Sequence, residues 1–175
     1  VNISGGNIGS DFIAFRGTLN ISGGAFGAGI DTVGASSTLI GGEFRLDGTV
    51  ISGLETLGDT ISLNVPSGSQ LTGTLADGTP FAFLSWDSDT IGSGTMTLKA
   101  AEVAPTGAAI ITLPGDSTPL GVRAGQTVTI KEGGVVADHF NAGHGSTVVI
   151  AGGRVGDNFE AVGAQVNITD GTVGD

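Results

Sequence analysis

Gly152-Gly153-Arg154-Val155-Gly156 is one of six glycine-led phrases whose spacing decides the fold of this chain. The phrases begin at Gly5, Gly23, Gly41, Gly133, Gly152 and Asp170. Successive phrases are 18 and 18 residues apart before a long interruption, and 19 and 18 residues apart after it. A repeat of this length is typical of a solenoid, in which each coil buries its apolar side against its neighbours.

Within each repeat, the apolar residues recur at the spacing of a β-strand. The position three residues after the start of each phrase is always apolar and holds Ile8, Phe26, Phe44, Val136, Val155 and Val173. Further apolar residues follow in steps of two, as expected when alternate side chains leave opposite faces of the backbone. This spacing and the 33 glycines exclude a helix, because each glycine costs about 1 kcal/mol in a helix interior.

The sequence therefore predicts an all-β fold, a parallel β-helix with coils of about 18 residues. In such a solenoid, Ile3 and Ile21 are vertical neighbours about 4.8 Å apart, and so are Phe140 and Phe159. Left-handed hexapeptide helices carry an apolar residue at every sixth position. This chain does not, which favours the right-handed form.

The interruption between the two blocks of repeats has its own β pattern. Residues 60–65 alternate polar with apolar, and Asp77-Gly78 is a turn signal between two short apolar runs, which predicts a hairpin. We expect a mainly antiparallel β insert or a set of irregular coils. The predicted organisation is coils in residues 1–46, the insert in residues 47–126 and coils again in residues 127–175.

Three asparagines occupy the same phase of the repeat: Asn2, Asn20 and Asn167. Side chains stacked one coil apart can link their amides, so an asparagine ladder is expected at this corner. Each of the three also starts an Asn-Ile-Ser/Thr triplet, which matches the acceptor sequence for glycosylation. The shared phase favours the ladder, because stacking requires it and glycosylation does not.

Charge and composition exclude several classes of function. Seventeen acidic against six basic residues give a net charge of -11, so nucleic acid is a poor partner and an anionic membrane surface is disfavoured. The absence of cysteine excludes disulfides and thiolate metal sites. No apolar run is long enough for membrane insertion.

Several phrases resemble a known class of repeat. Val1-Asn2-Ile3-Ser4-Gly5-Gly6, the stretch 152–159 and the stretch 75–81 are similar to the glycine-rich repeat regions of large secreted and surface proteins of environmental bacteria. The resemblance covers the whole chain. It implies a right-handed parallel β-helix and an extracellular or cell-surface location, and it implies no activity.

Aspartates recur at one edge of the coils: Asp11, Asp47, Asp138, Asp157 and Asp175. Carboxylates about 4.8 Å apart repel one another, and calcium would relieve that repulsion. The pattern is similar to the calcium-binding nonapeptide of β-rolls, but one extra residue in the stretch 5–12 breaks the match. The alternative is that these side chains accept backbone N–H bonds in turns. The predicted fold requires no cofactor. If an ion binds, the aspartate pattern indicates calcium.

Phe81, Phe83 and Trp86 are candidates for an aromatic platform on which a sugar ring could stack. The alternation of the strand favours core packing instead, because Phe81 and Phe83 share one face and Trp86 lies on the other. An enzyme is not expected. The only lysines are Lys99 and Lys131, so a lyase site lacks its base.

The sequence as a whole favours a structural or adhesive segment of a secreted or cell-surface protein. Such a segment would act as a rigid spacer or as a module that self-associates end to end, since open coil ends expose unpaired strand edges. The alternative is a carbohydrate-binding module or a calcium-binding β-solenoid associated with polysaccharide recognition.

Overall fold

The computed structural model describes residues 1–8, 12–26, 30–32, 34–85 and 96–174. Within these ranges the chain forms strands and turns and contains no helix. It divides into two compact units, Val1–Ala104 and Pro105–Asp175. Both units are built from parallel strands stacked about 18 residues apart, so the predicted all-β solenoid is confirmed.

The first unit contains a parallel stack followed by antiparallel strands. Its strands are β1 Asn2–Ile8, β2 Phe12–Ile13, β3 Gly17–Phe26, β4 Ile30–Asp31, β5 Ala35–Leu46, β6 Thr49–Val50, β7 Thr60–Leu63, β8 Gln70–Leu75, β9 Pro80–Leu84 and β10 Met96–Ala100. Strands β1, β3, β5 and β10 pair in parallel, and β2 pairs with β4 in parallel. Strand β8 pairs antiparallel with β5 and with β9. The pairings of β6 with β5 and of β7 with β10 are also antiparallel.

The register of the first stack aligns apolar residues one above the other. Ile3 pairs with Ile21, Ile21 with Leu39, and Leu39 with Leu98. The first of these pairs is the vertical contact that the repeat predicts. Strand β10 lies inside the predicted insert yet continues the parallel column, so the insert contributes one regular layer as well as the antiparallel strands.

The second unit is a regular stack with two parallel sheets. Its strands are β11 Ile110–Leu113, β12 Gly121–Val122, β13 Thr127–Lys131, β14 Val135–Val136, β15 Asn141–Ala142, β16 Thr147–Val155, β17 Glu160–Ala161 and β18 Gln165–Val173. Strands β11, β13, β16 and β18 pair in parallel, as do β12, β15 and β17. The parallel pairing begins at Ile110, upstream of residue 127, where the sequence placed the return to coils.

The interior of each stack is a continuous apolar column. Ile21, Leu39 and Leu98 are 0 % exposed in the first unit, and Ile130 and Ile150 are 0 % exposed in the second. Complete burial of one such side chain contributes about 1.5 to 3 kcal/mol. In the second unit Phe140 and Phe159 stack with ring centroids 6.0 Å apart, as the repeat predicts.

The glycine pairs allow close approach between coils. A Cβ at Gly153 would lie 2.6 Å from the carbonyl oxygen of Lys131 on the preceding coil. Gly152 has a φ of +107°, in the left-handed region that favours glycine. A larger residue at Gly153 would therefore force adjacent coils apart, which explains why the pair recurs at the same corner.

Candidate functional site

The Asn-Ile-Ser/Thr triplets form a coil-to-coil contact that we call the corner motif, at residues 2–4, 20–22 and 167–169. The Asn20 Nδ2 donates to Asn2 Oδ1 at 2.8 Å, which is a rung of the predicted asparagine ladder. The Ser22 hydroxyl donates to the Ile3 carbonyl oxygen at 3.3 Å. In each bond the later coil donates and the earlier coil accepts.

The second unit repeats one half of this contact. The Thr169 hydroxyl donates to the carbonyl oxygen of Ile150 at 3.3 Å, the same geometry as Ser22 on Ile3. Asn167 pairs with Val149, however, so it has no asparagine on the coil beneath it. The ladder therefore has one rung within the described residues, between Asn2 and Asn20.

Strands β1 and β18 are two of the end strands that have a parallel neighbour on one side only among the described residues. Strand β1 pairs only with β3, and β18 pairs only with β16. Ile168 on β18 is 58 % exposed, whereas Ile150 directly beneath it is 0 % exposed. Ile168 therefore occupies a core position of its coil, and no described strand covers it.

Two of the candidate calcium ligands, Asp47 and Asp138, form hydrogen bonds to the backbone. Asp138 Oδ1 accepts the backbone N–H of Asp157 at 3.0 Å, and Asp47 Oδ1 accepts that of Gln70 at 2.8 Å. Both bonds match the alternative interpretation, in which the aspartates cap turns. Asp11 and Asp175 lie outside the described residues. Across the described ranges, no group of three His, Asp or Glu side chains could hold a metal ion.

Two of the three candidates for an aromatic platform lie in the core, as the alternation of the strand favoured. Phe81 and Phe83 are buried in the core, 3 % and 2 % exposed, and their rings stack 4.8 Å apart. Phe83 also meets Phe26 edge to face, and Phe81 lies against Phe44. A sugar ring needs an exposed aromatic face, and neither phenylalanine offers one. Trp86 lies outside the described residues.

A small cavity in the first unit was not expected from the sequence. It has a volume of about 150 Å³. Phe44, Val50, Ile51 and Leu54 supply its apolar walls, and Gly42 and Ala100 leave the space open. Glu43 and Glu55 also line it, and both residues are exposed.

Polar groups lie beside the core of the second unit. Glu160 follows Asn141 in register on the neighbouring coil, and burial raises the pKa of the Glu160 carboxyl to about 6. Asn141 is 5 % exposed, and its Oδ1 has no hydrogen-bond partner. The Nδ1 of His139 and the Nε2 of His144 are likewise buried without a partner. The repeat spacing predicts that Asn141 and Glu160 stack, but it gave no signal that these polar atoms would be buried.

Comparisons with known proteins give no functional assignment. No family model matches the chain, and no curated protein and no solved structure is significantly similar to it. Among the described residues, no helix has the length and apolar character of a membrane span.

Proposed function

We propose that this chain is a structural segment of a secreted or cell-surface bacterial protein, and that it associates end to end through its open coil edges. The secreted or surface location rests on the resemblance of its repeats. The association rests on one observation, the match between the two open edges. The segment acts as a stiff stack of coils, and catalysis has no part in the proposal.

The sequences of the two open edges match position by position. Residues 1–8 read Val-Asn-Ile-Ser-Gly-Gly-Asn-Ile, and residues 166–173 read Val-Asn-Ile-Thr-Asp-Gly-Thr-Val. Strand β1 of one copy can therefore lie on β18 of another in the register that β3 adopts on β1. Ile3 would then cover Ile168, as Ile21 covers Ile3 within one chain.

The polar groups at the two edges are also complementary. Asn2 accepts a bond from the following coil and keeps its own Nδ2 free, while Asn167 offers a free Oδ1. Among the strands that the structure describes, none lies beneath Ser4 and none lies above Ile168 to bond its carbonyl oxygen. Stacking of two copies would form Asn2 Nδ2 to Asn167 Oδ1 and Ser4 Oγ to Ile168 O. These are the two bonds that the corner motif forms inside the first unit.

The contact is head to tail, so each added copy exposes a new edge. Such a heterologous contact builds chains or rings of molecules rather than two-fold symmetric dimers. Because every copy carries a net charge of -11, repulsion opposes association at low salt. We expect association to strengthen as ionic strength rises and screens that repulsion.

Cross-linking between two variants tests the register directly. The chain has no cysteine, so Asn2→Cys and Asn167→Cys each introduce a single thiol. A mixture of the two variants, treated with a short bismaleimide, should give cross-linked dimers, and each variant alone should give few. Ser67→Cys, at an exposed turn, replaces Asn2→Cys in the control mixture. Equal cross-linking in all mixtures would overturn the proposed contact.

A matched pair of charge variants tests the same edge without cross-linking. Ile168→Asp puts a carboxylate on a side chain that stacking would bury, whereas Gln165→Asp adds the same charge on the outward face of the strand. Sedimentation velocity over a concentration series should show at least tenfold weaker association for Ile168→Asp, because burying an unpaired charge costs more than about 1.4 kcal/mol. Equal weakening by both variants would contradict the proposal.

Calcium or polysaccharide binding is the alternative that the sequence left open. Asp47 and Asp138 already accept backbone bonds, and Phe81 and Phe83 are core residues. Isothermal titration with calcium and with a panel of polysaccharides tests this alternative. Heat with a polysaccharide that is lost in Trp86→Ala would replace the structural proposal with a binding function.

A further inference from the structure

The cavity in the first unit lies between the end of a strand and an ordered loop. Gly42 and Ala100 line it and leave room because their side chains are small or absent. Residues of the segment 50–55 line it as well. All of the lining residues belong to the first unit, and none of them lies in β1 or β18.

Hydrogen bonds fix the loop beside the cavity to residues of β5 and β10. The N–H of Ile51 donates to the Phe44 carbonyl oxygen at 3.0 Å, and the N–H of Gly58 donates to the Ala100 carbonyl oxygen at 2.8 Å. Ala100 in turn donates to the carbonyl oxygen of Asp59 at 2.9 Å. Because the loop is tied at both ends, the cavity is preformed, which is the usual state of a small-molecule site.

Two carboxylates give the cavity a negative charge. Glu43 Oε2 accepts the Thr74 hydroxyl at 2.9 Å, and Glu55 Oε1 accepts the N–H of Gly53 at 2.8 Å. That backbone bond lowers the pKa of Glu55, so its carboxyl is ionised at neutral pH. Both side chains are exposed, so their carboxylates can accept further hydrogen bonds from a ligand.

Glu43 also has an unusual backbone conformation. Its φ is +57°, in the left-handed region that a residue with a Cβ seldom adopts. The equivalent positions in the neighbouring coils, Asn7 and Ala25, are not in this conformation. The chain thus departs from its own repeat at the residue that brings a carboxylate to the cavity.

From these features we infer that the cavity binds a primary alkylammonium group with a stem of three to four carbons. The apolar walls fit the stem, and the exposed carboxylates of Glu43 and Glu55 accept the ammonium N–H groups. A cavity of about 150 Å³ has the size of one that takes up a benzene-sized molecule. An anion is excluded by charge, and a sugar would leave most of its hydroxyls without partners against the apolar walls.

The probe is n-butylammonium, titrated into isotopically labelled protein and followed by amide chemical shifts. We expect shifts at Gly42, Ile51, Gly53 and Ala100, with weak binding because the carboxylates are exposed to water. n-Butanol has the same stem without the charge and should bind at least fivefold more weakly. Equal shifts with n-butanol, or no shifts at these amides, would overturn the inference.

Variants separate the contributions of charge and shape. Glu43→Gln and Glu55→Gln should each weaken n-butylammonium binding several-fold, whereas Glu102→Gln, an exposed glutamate outside the cavity, should leave it unchanged. Ala100→Leu should abolish binding by filling the space. If Ala100→Leu does not fold, the two glutamate variants still test whether the cavity binds n-butylammonium. Unchanged binding in both glutamate variants would refute the role of the carboxylates.

A second arm distinguishes the source of the ammonium group. Nα-acetyl-lysine N-methylamide carries a charged lysine side chain between two peptide bonds, whereas n-butylammonium is a free amine. Similar affinity for both supports recognition of a lysine side chain on another protein, and binding of the free amine alone supports a small metabolite. The titrations are made at low salt, where we expect the protein to be monomeric. Their outcome therefore does not depend on whether the chain associates end to end, and the two proposals can fail separately.

Discussion

Truncation of two isoleucines in one vertical column should have very different effects on stability. Ile150 is 0 % exposed and lies between Ile130 and Ile168, while Ile168 is 58 % exposed at the open edge. Ile150→Ala removes buried methyl and methylene groups worth about 0.8 kcal/mol each and leaves a cavity, for a total of about 3 to 4 kcal/mol. Ile168→Ala loses less than half of the transfer energy, about 1 kcal/mol.

Hydrogen exchange measured by NMR is the appropriate assay, because a chain with two units need not unfold in one step. Exchange of the amides in β16 and β13 reports the free energy of opening of the second unit by itself. The two variants should differ by about 2 to 3 kcal/mol in that free energy. A difference below about 0.5 kcal/mol would refute the assignment of Ile150 to the middle of a stacked column.

Three further outcomes follow from single contacts. Asn20→Ala should destabilise the first unit by about 0.5 to 1.5 kcal/mol in urea unfolding, because it removes one amide rung. Gly153→Ala should cost about 1 to 3 kcal/mol by pushing against the Lys131 carbonyl oxygen, whereas Gly5→Ala, with open space around it, should cost less than about 1 kcal/mol. Because burial raises the pKa of Glu160 from 4.5 to about 6, the folded second unit binds the proton more tightly. Its stability should fall as pH rises from 4.5 to 6, by about 1 kcal/mol after allowance for partial exposure, and Glu160→Gln should abolish that slope.

The vertical neighbours could be predicted from the sequence because stacking imposes one phase on every coil. Ile3 on Ile21, Asn2 on Asn20 and Phe140 on Phe159 all follow from a spacing of 18 or 19 residues. The same reasoning overestimated the ladder, since Asn167 stacks on Val149. A phase identifies where a residue lies, but the identity of the residue beneath it decides whether a bond forms.

The second unit shows where the repeat signal ends. Strand β11 stacks on β13 at Ile110, although no glycine pair precedes it. Alternating apolar residues are sufficient for an end strand, because close approach at the glycine corner is needed only when a full coil lies beneath. Without the glycine phrase, such a strand has the same pattern as any short strand of an insert.

The hairpin near Asp77 could be recognised, but its docking could not. The sequence identified the Asp77-Gly78 turn. In the structure, Asp77 Oδ2 accepts a hydrogen bond from the backbone N–H of Gly24, with an N to O distance of 2.7 Å. This bond joins residues 53 positions apart. Position in the sequence carries no signal for it. The cavity beside Glu43 and Glu55 is equally a product of tertiary packing.

Spin labels on adjacent coils test the central claim most directly, namely that residues 18 apart are vertical neighbours. Thr18 and Ser36 pair in register on β3 and β5, and both are exposed, so cysteines there can carry nitroxides without disturbing the core. The doubly labelled chain should show strong dipolar broadening in its spectrum, because paired parallel strands lie about 4.8 Å apart. A spectrum equal to the sum of the two singly labelled chains would contradict the stacked-coil fold.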